Sequence, residues 1–201
     1  MKKGVLILAA GAATRMKRAK MLLPFASATI LSHIVQEVQA IQPDSICLVT
    51  GCYHNEILNC INTSQLDIVY NENWRDGMAG TIKLGLSALL QKYPDLTWVL
   101  IVVSDQPYLN RELLTGMVTA QAESQKGIVA AKYQEITGTP VLFNQQYFEQ
   151  LQQLQGDKGA GIILQQNPED IATVSFPLGV VDIDTPEDYE RLYLQTKVFH
   201  A

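Results

Sequence analysis

Cysteine and histidine are scarce in this sequence, three of each in 201 residues. Cys47, Cys52 and Cys60 contain no CxxC pair and are odd in number, which argues against a disulfide scaffold and a cysteine-rich zinc site and fits free thiols in a reducing cytoplasm. His33, His54 and His200 are scattered and show no metal-ligand spacing. Long apolar runs are missing too: residues 5–10 and 98–103 fall far short of the ~20 residues that a membrane span needs. The opening Met1-Lys2-Lys3 and GVLILAAGAA resemble a secretory signal. The apolar stretch is short, however, glycine interrupts it, and a basic cluster follows at once, so a buried first strand running into a loop is the better reading. Charged residues make up only 17%, and the net charge is −5, which argues against nucleic acid or an anionic membrane as a general partner. Asp and Glu are absent from residues 1–36, which hold six of the fifteen basic residues. Neither GxxxxGKS/T nor GxGxxG occurs, which argues against a P-loop NTPase and a dinucleotide-binding dehydrogenase.

What the chain does have is an apolar fraction of 47%. At this length that supports a full core without disulfide or metal staples, and it excludes a disordered chain. No repeat, low-complexity tract or linker interrupts the sequence, so one domain over residues 1–201 is expected. Residues 4–9 form a continuous apolar run of strand length. In residues 29–41, Ile30, Leu31, Ile34, Val35, Val38 and Ile41 recur at helical spacing. Further strands are expected at residues 45–50, 66–70, 98–103, 128–132, 141–143, 173–176 and 180–183. WVLIVV at 98–103, apolar on both faces, reads as central, and 141–143 as an edge or an insertion. Helices are expected over 55–62, 81–90, 111–125, 145–154 and 160–166, with a last one capped by Thr185 and carrying Pro186 at its first position. The alternation predicts an α/β fold, a single-domain Rossmann-like three-layer sandwich around a mostly parallel sheet. Ligands in such folds bind at the carboxyl ends of the strands, which points to the segments after Ala9, Val103 and Ile183.

Four segments carry candidate chemistry. The first runs from Leu8 through Ala9, Ala10 and Gly11 to Arg15, Lys17, Arg18 and Lys20. Small residues let a backbone approach a ligand, and the cations after them suit a polyanion, most simply phosphates; the plainer alternative is a solvated basic loop. In the second, Ser104-Asp105-Gln106-Pro107, Asp105 either holds Mg2+ or caps a turn before the proline. In the third, Asp182 and Asp184 share one face of a strand end, as cation ligands or as a solvated pair. The fourth, residues 71–81, leads from a strand into a helix. Asn71, Gly80 and Thr81 there could read a base edge, but taken alone these residues favour an ordinary turn with Thr81 as helix cap.

Together these segments resemble the MobA-like nucleotidyltransferases, and within them the molybdenum cofactor cytidylyltransferases. The opening is similar to LAAGxSxRMGxxKxLL at Leu8-Ala9-Ala10-Gly11, Arg15-Met16, Lys20 and Leu22-Leu23. Asn71, Trp74, Gly77 and Met78 match NPxWxxGM, and Asp105-Gln106-Pro107 matches DxP. Gly138-Thr139-Pro140-Val141-Leu142-Phe143 is similar to a GxPVLF segment near the acceptor, Gly156-Asp157-Lys158-Gly159-Ala160 to GDxGAR, and residues 182–189 to the closing DIDTPEDY. Three positions depart from the pattern: Ala13 stands for Ser, Lys17 for Gly and Gly161 for Arg.

The resemblance implies a nucleotide-diphospho-sugar transferase-like fold and transfer of a nucleoside monophosphate, with pyrophosphate released. LAAG, rather than the LAGG of the guanylyl branch, implies CTP as donor. Arg15 and Lys20 are then the catalytic cations, and Leu8, Ala9, Ala10, Gly11, Asn71, Gly80, Thr81 and Asp105 bind nucleotide. Gly138, Thr139 and Pro140 lie near a molybdopterin-type acceptor, and Asp105, Asp184 and Asp182 hold Mg2+, or Mn2+ in its place. A molybdenum hydroxylase is the implied recipient, through transient contact. The alternatives are a guanylyltransferase, a cytidylyltransferase acting on an isoprenoid or sugar phosphate, and a non-catalytic nucleotide-binding paralogue.

Overall fold

The computed structural model describes residues 2–12, 19–25, 28–181 and 189. In chain order these form strand β1 (Lys2–Ala9), a short hairpin of β2 (Pro24–Phe25) and β3 (Ala28–Thr29), helix α1 (Ile30–Ala40), β4 (Ser45–Thr50), α2 (His54–Cys60), β5 (Asp67–Tyr70), α3 (Met78–Lys92) and β6 (Leu96–Val103). There follow α4 (Arg111–Ser124), β7 (Ile128–Tyr133), β8 (Ile136–Asn144), α5 (Phe148–Gln152), α6 (Gly161–Gln166) and β9 (Ile171–Ser175). Seven strands pair in the order β5-β4-β1-β6-β8-β7-β9. β5, β4, β1 and β6 run parallel, β8 runs antiparallel to both of its neighbours, and β9 is parallel to β7. After β1 the chain builds outward to β4 and β5, then returns to place β6 on the other side of β1. That reversal opens a crevice at the carboxyl ends of β1 and β6.

Alternation along the strands supplies two cores. Val5, Ile7 and Ala9 of β1 face α1 and α4, meeting Ile30, Leu31, Ile34 and Val38 of α1 and Leu114 and Met117 of α4. Leu6 and Leu8 face the other way, onto Ile82, Leu86 and Leu89 of α3. β1 is covered on both faces, which is why it reads as an unbroken apolar run. Each fully buried Leu, Ile or Val contributes about 1.5–3 kcal/mol. Thr29 caps α1, its hydroxyl accepting from Ser32 N at 3.1 Å.

Two expectations need correction. Residues 141–143 are no edge: β8 lies between β6 and β7, with Val141, Leu142 and Phe143 buried. The tight turn after β7 sends the chain straight back, so β8 wedges beside β6. Pro140 fits an interior strand because the register breaks there: Ala130 pairs with Val141 and Ala131 with Gly138, leaving residues 139–140 out of the ladder. The Thr139–Pro140 peptide is cis. The strand expected at 180–183 is not there as far as the chain is described. Pro177–Val180 is a 3-10 turn, Val181 follows outside any strand, and residues 182–183 lie outside the described residues, as does the cap at Thr185. Among the described residues no helix is long and apolar enough to cross a membrane.

Candidate functional site

The carboxyl edge of the parallel strands gathers the described parts of the first, second and fourth candidate segments. Ala9 of β1 is level with Thr50 of β4, and Leu8 with Val103 of β6. Past these pairs the strands release residues 10–12, 51–53 and 104–107. Leu8, Ala9 and Ala10 are buried while Gly11 is exposed, so the chain emerges into the crevice at Gly11.

Gly51 lets three loops converge. A Cβ there would stand 2.6 Å from the Ala10 carbonyl oxygen and 2.8 Å from Trp74 Cβ, closer than real Cβ atoms come to their neighbours. The loops after β1, β4 and β5 therefore meet over a residue with no side chain. Cys52 N donates to the Ala10 carbonyl at 3.1 Å.

Lys20 opens a 3-10 turn (Lys20–Leu22) anchored by buried Met21 and Leu23. Its Nζ lies 2.6 Å from Oδ2 of Asp105, two residues beyond the end of β6, with 16% and 25% of the two side chains exposed. A cation suited to phosphate and a carboxylate suited to a metal thus sit in contact, half sheltered, between the two central strands. Asp105 offers hard oxygen donors, and among the described residues no cluster of three or more His, Cys, Asp and Glu forms. That donor set fits Mg2+ or Mn2+, ions that bind through one or two carboxylates and complete their shell with substrate phosphates. Arg15, Asp182 and Asp184 lie outside the described residues.

Next to Asp105, buried Gln106 donates from Nε2 to the Thr139 carbonyl at 3.1 Å, and its Oε1 is buried without a hydrogen-bond partner. The break in the β8 ladder is what leaves that carbonyl available. The bond ties the Asp105 loop to the Gly138-Thr139-Pro140 segment, so two motifs separated in sequence share one end of the sheet.

Residues 71–80 follow β5 and reach the other loops through Trp74, which lies beside Gly51. Asn71, just past β5, is buried. Its Nδ2 donates to Thr81 Oγ1 at 3.0 Å and its Oδ1 accepts from Asn73 N at 3.0 Å. Thr81 is not the helix cap: α3 starts at Met78 with Gly77 as N-cap, and Thr81 is buried in the first turn. Gly77 has φ +103°, and a Cβ on it would lie 2.5 Å from the Gly156 carbonyl oxygen and 2.6 Å from Asp157 Oδ1. Ala79 N donates to that same Gly156 oxygen at 3.1 Å. The 71–80 and 156–160 motifs are therefore one packed unit. A groove of about 660 Å3 runs along it, lined by Tyr70, Asn71, Asp76, Gly80, Lys83 and Gly156 among others. The structure thus joins Lys20 to Asp105, and Asn71 to Gly80 and Thr81. Gly51 and Gln106 had no site role in the sequence reading. Their contribution is contact across strands, signalled only by a glycine at a strand end and an amide inside the DxP match.

A model of the MobA-like NTP transferase domain matches residues 5–171. The bifunctional protein GlmU of Francisella tularensis subsp. novicida is 30% identical over 132 residues, 63% of this chain and 27% of that protein. The chain spans about a quarter (27%) of the length of the curated relatives it matches. Among solved structures, Rv0371c from Mycobacterium tuberculosis H37Rv in complex with manganese superposes with a TM-score of 0.79 at 24% identity, covering 96% of this chain and 97% of that one. Molybdopterin-guanine dinucleotide biosynthesis protein A from Archaeoglobus fulgidus superposes with a TM-score of 0.69 at 13% identity, covering 96% and 99%. At these identities the structural likeness concerns the fold.

Proposed function

The chain belongs to the MobA-like NTP transferase family, and from that premise we propose that it transfers CMP from CTP to the phosphate of a molybdopterin-type acceptor, releasing pyrophosphate. The observation that supports nucleotidyl transfer is the Lys20–Asp105 contact, 2.6 Å long, at the carboxyl ends of β1 and β6, while CTP and the acceptor rest on the resemblance at Ala10 and residues 138–140. The contact brings together a group for the triphosphate and a group for its metal at the place where this fold takes ligands.

In the reaction an acceptor phosphate oxygen forms a bond to the α-phosphorus, and the bond from that phosphorus to the β-bridging oxygen breaks. Negative charge grows on the α-phosphoryl oxygens and the leaving pyrophosphate, so cations and peptide N–H groups carry the catalysis. Lys20, with Arg15, takes the triphosphate and the charge of the transition state. Leu8, Ala9, Ala10 and Gly11 bring backbone against the nucleotide, and Asn71, Gly80 and Thr81 stand on the base or ribose side. Asp105, with Asp184 and Asp182, would hold Mg2+ or Mn2+, which when bound neutralises phosphate charge. Gly138, Thr139 and Pro140 border the acceptor, tied to the Asp105 loop through Gln106. A phosphate nucleophile is already ionised at neutral pH, so no histidine base is needed. The product would pass by transient contact to a molybdenum hydroxylase.

The test is thermal unfolding with Mg2+ and each of CTP, GTP, ATP and UTP, followed by pyrophosphate release with molybdopterin. A ligand at about 100 times its Kd adds about 2.7 kcal/mol, which a melting curve resolves. A shift with CTP alone and turnover with molybdopterin is the expected result. A shift with GTP alone moves the assignment to the guanylyl branch, and no shift with any nucleotide overturns the reading.

A further inference from the structure

We infer that Tyr53 is a positioning residue for nucleotide binding: from the loop after β4 it holds the loop after β1 so that the Gly11 peptide N–H faces the nucleotide. The inference rests on the nucleotidyltransferase reading above.

Residues 9–12 are Ala-Ala-Gly-Ala, a segment whose side chains cannot hydrogen-bond. Its conformation must be imposed by neighbours, and the neighbour is the next loop in the sheet. Cys52 N donates to the Ala10 carbonyl at 3.1 Å, and Tyr53 Oη donates to the Ala12 carbonyl at 2.7 Å. Gly51, with no Cβ to push on Ala10, permits both contacts. The geometry of a trans peptide does the rest. Carbonyl and N–H point in opposite directions across the same plane. With the Ala10 oxygen turned to Cys52, the Gly11 N–H is turned to the opposite side, away from the β4 loop. Tyr53 fixes the second carbonyl along, so the chain cannot pivot about Gly11, where conformational freedom is greatest.

Tyr53 is itself held. Ile57 N donates to its carbonyl at 2.9 Å and His54 N to Gly51 O at 3.1 Å, locking the start of α2. Its ring packs against the core beside α1. Burial raises its phenol above the usual value, so the hydroxyl remains a donor across the neutral range.

The experiment compares wild type with Tyr53→Phe, which keeps the ring and removes the hydroxyl. Tyr93→Phe is the control, removing a hydroxyl that donates to Asp44 O at 3.3 Å, at the amino end of the sheet. Calorimetry with Mg2+ and whichever nucleoside triphosphate wild type binds best should give a Kd raised about tenfold in Tyr53→Phe and unchanged in the control. KM should rise with Kd while kcat at saturation stays within about twofold, because the N–H grips ground state and transition state alike. A purely structural role would lower Tm in both variants and leave Kd alone, and that result overturns the inference. If Tyr53→Phe does not fold, Tyr53→Met, a flexible apolar side chain without the hydroxyl, is measured instead, and an unchanged Kd there overturns it too. Wild type that binds no nucleotide overturns the functional reading as well. Wild type that binds, with Tyr53→Phe binding equally, overturns this inference alone.

Discussion

Replacing Lys20 with Ala separates its ion pair with Asp105 from the triphosphate role proposed for it. In the ligand-free protein it pairs with Asp105 at 2.6 Å, with side-chain exposures of 16% and 25%. Exposed pairs are worth about 0–1 kcal/mol, and breaking fully buried ones costs about 3–5 kcal/mol. This pair lies between those limits, and water still reaches the carboxylate left behind, so the expected loss is about 1–2 kcal/mol. For a chain of this size that lowers the unfolding midpoint by about 2–8 °C. The nucleotide-dependent part is larger. A charge-assisted hydrogen bond to phosphate contributes about 1.5–3 kcal/mol, so Kd should rise by about a hundredfold. At a nucleotide concentration of about 100 times the wild-type Kd, wild type gains about 2.7 kcal/mol and the variant only about 0.4 kcal/mol. The ligand-induced rise in midpoint should therefore shrink from about 5–11 °C to about 1–2 °C. Scanning fluorimetry with and without the Mg2+–nucleotide complex measures both numbers in one series, and pyrophosphate release should fall by orders of magnitude in the same preparation. A Lys20→Ala protein that keeps the full nucleotide-induced shift refutes the assignment of Lys20 to the triphosphate.

Two further outcomes follow from the geometry. Gly77→Ala forces a side chain onto φ +103° and puts its Cβ 2.5 Å from the Gly156 backbone, so it should destabilise the fold by at least about 1–3 kcal/mol in chemical denaturation. Asp170 carries the acid-dependent stability of the β7–β9 end: burial pushes its carboxyl up, but hydrogen bonds from Tyr147 Oη at 2.6 Å and Gly127 N at 3.0 Å outweigh this and hold it below 3.8. A depressed carboxyl stabilises the native state above its unfolded pKa and loses that contribution as pH falls through its native value. The penalty of Asp170→Asn in urea unfolding should thus be full at pH 6 and shrink below about pH 3.8; a penalty independent of pH contradicts the ionic role.

What the sequence revealed was local and periodic. Helix α1 was legible because Ile30, Leu31, Ile34, Val35 and Val38 recur on one face, and β1 and β6 because strands covered on both faces leave unbroken apolar runs. Residues 141–143 read as an edge or an insertion, and only the register break shared with β7 shows how an interior strand accommodates Pro140. In the candidate site, position after β1 and β6 drew attention to a loop of four cations and to Asp105, and the resemblance singled out Lys20, but the contact between Lys20 and Asp105 was not legible. The support of the loop after β1 was invisible for a plainer reason. Tyr53 acts on Ala12 across 41 positions, through a backbone carbonyl that every residue type carries. No side-chain pattern at residue 12 records such a bond.

The packing of residues 71–80 on residues 156–160 bears on how such domains can be re-engineered. Gly77 and Ala79 meet the backbone of Gly156, and a Cβ on Gly159 would stand 2.7 Å from Met78 Sδ. Neither loop has a shape of its own to carry into another scaffold; each is the mould of the other. A chimera that imports only the first from a relative inherits a surface cut for a partner it lacks. The exchangeable module is the pair, although about eighty residues of chain separate its halves.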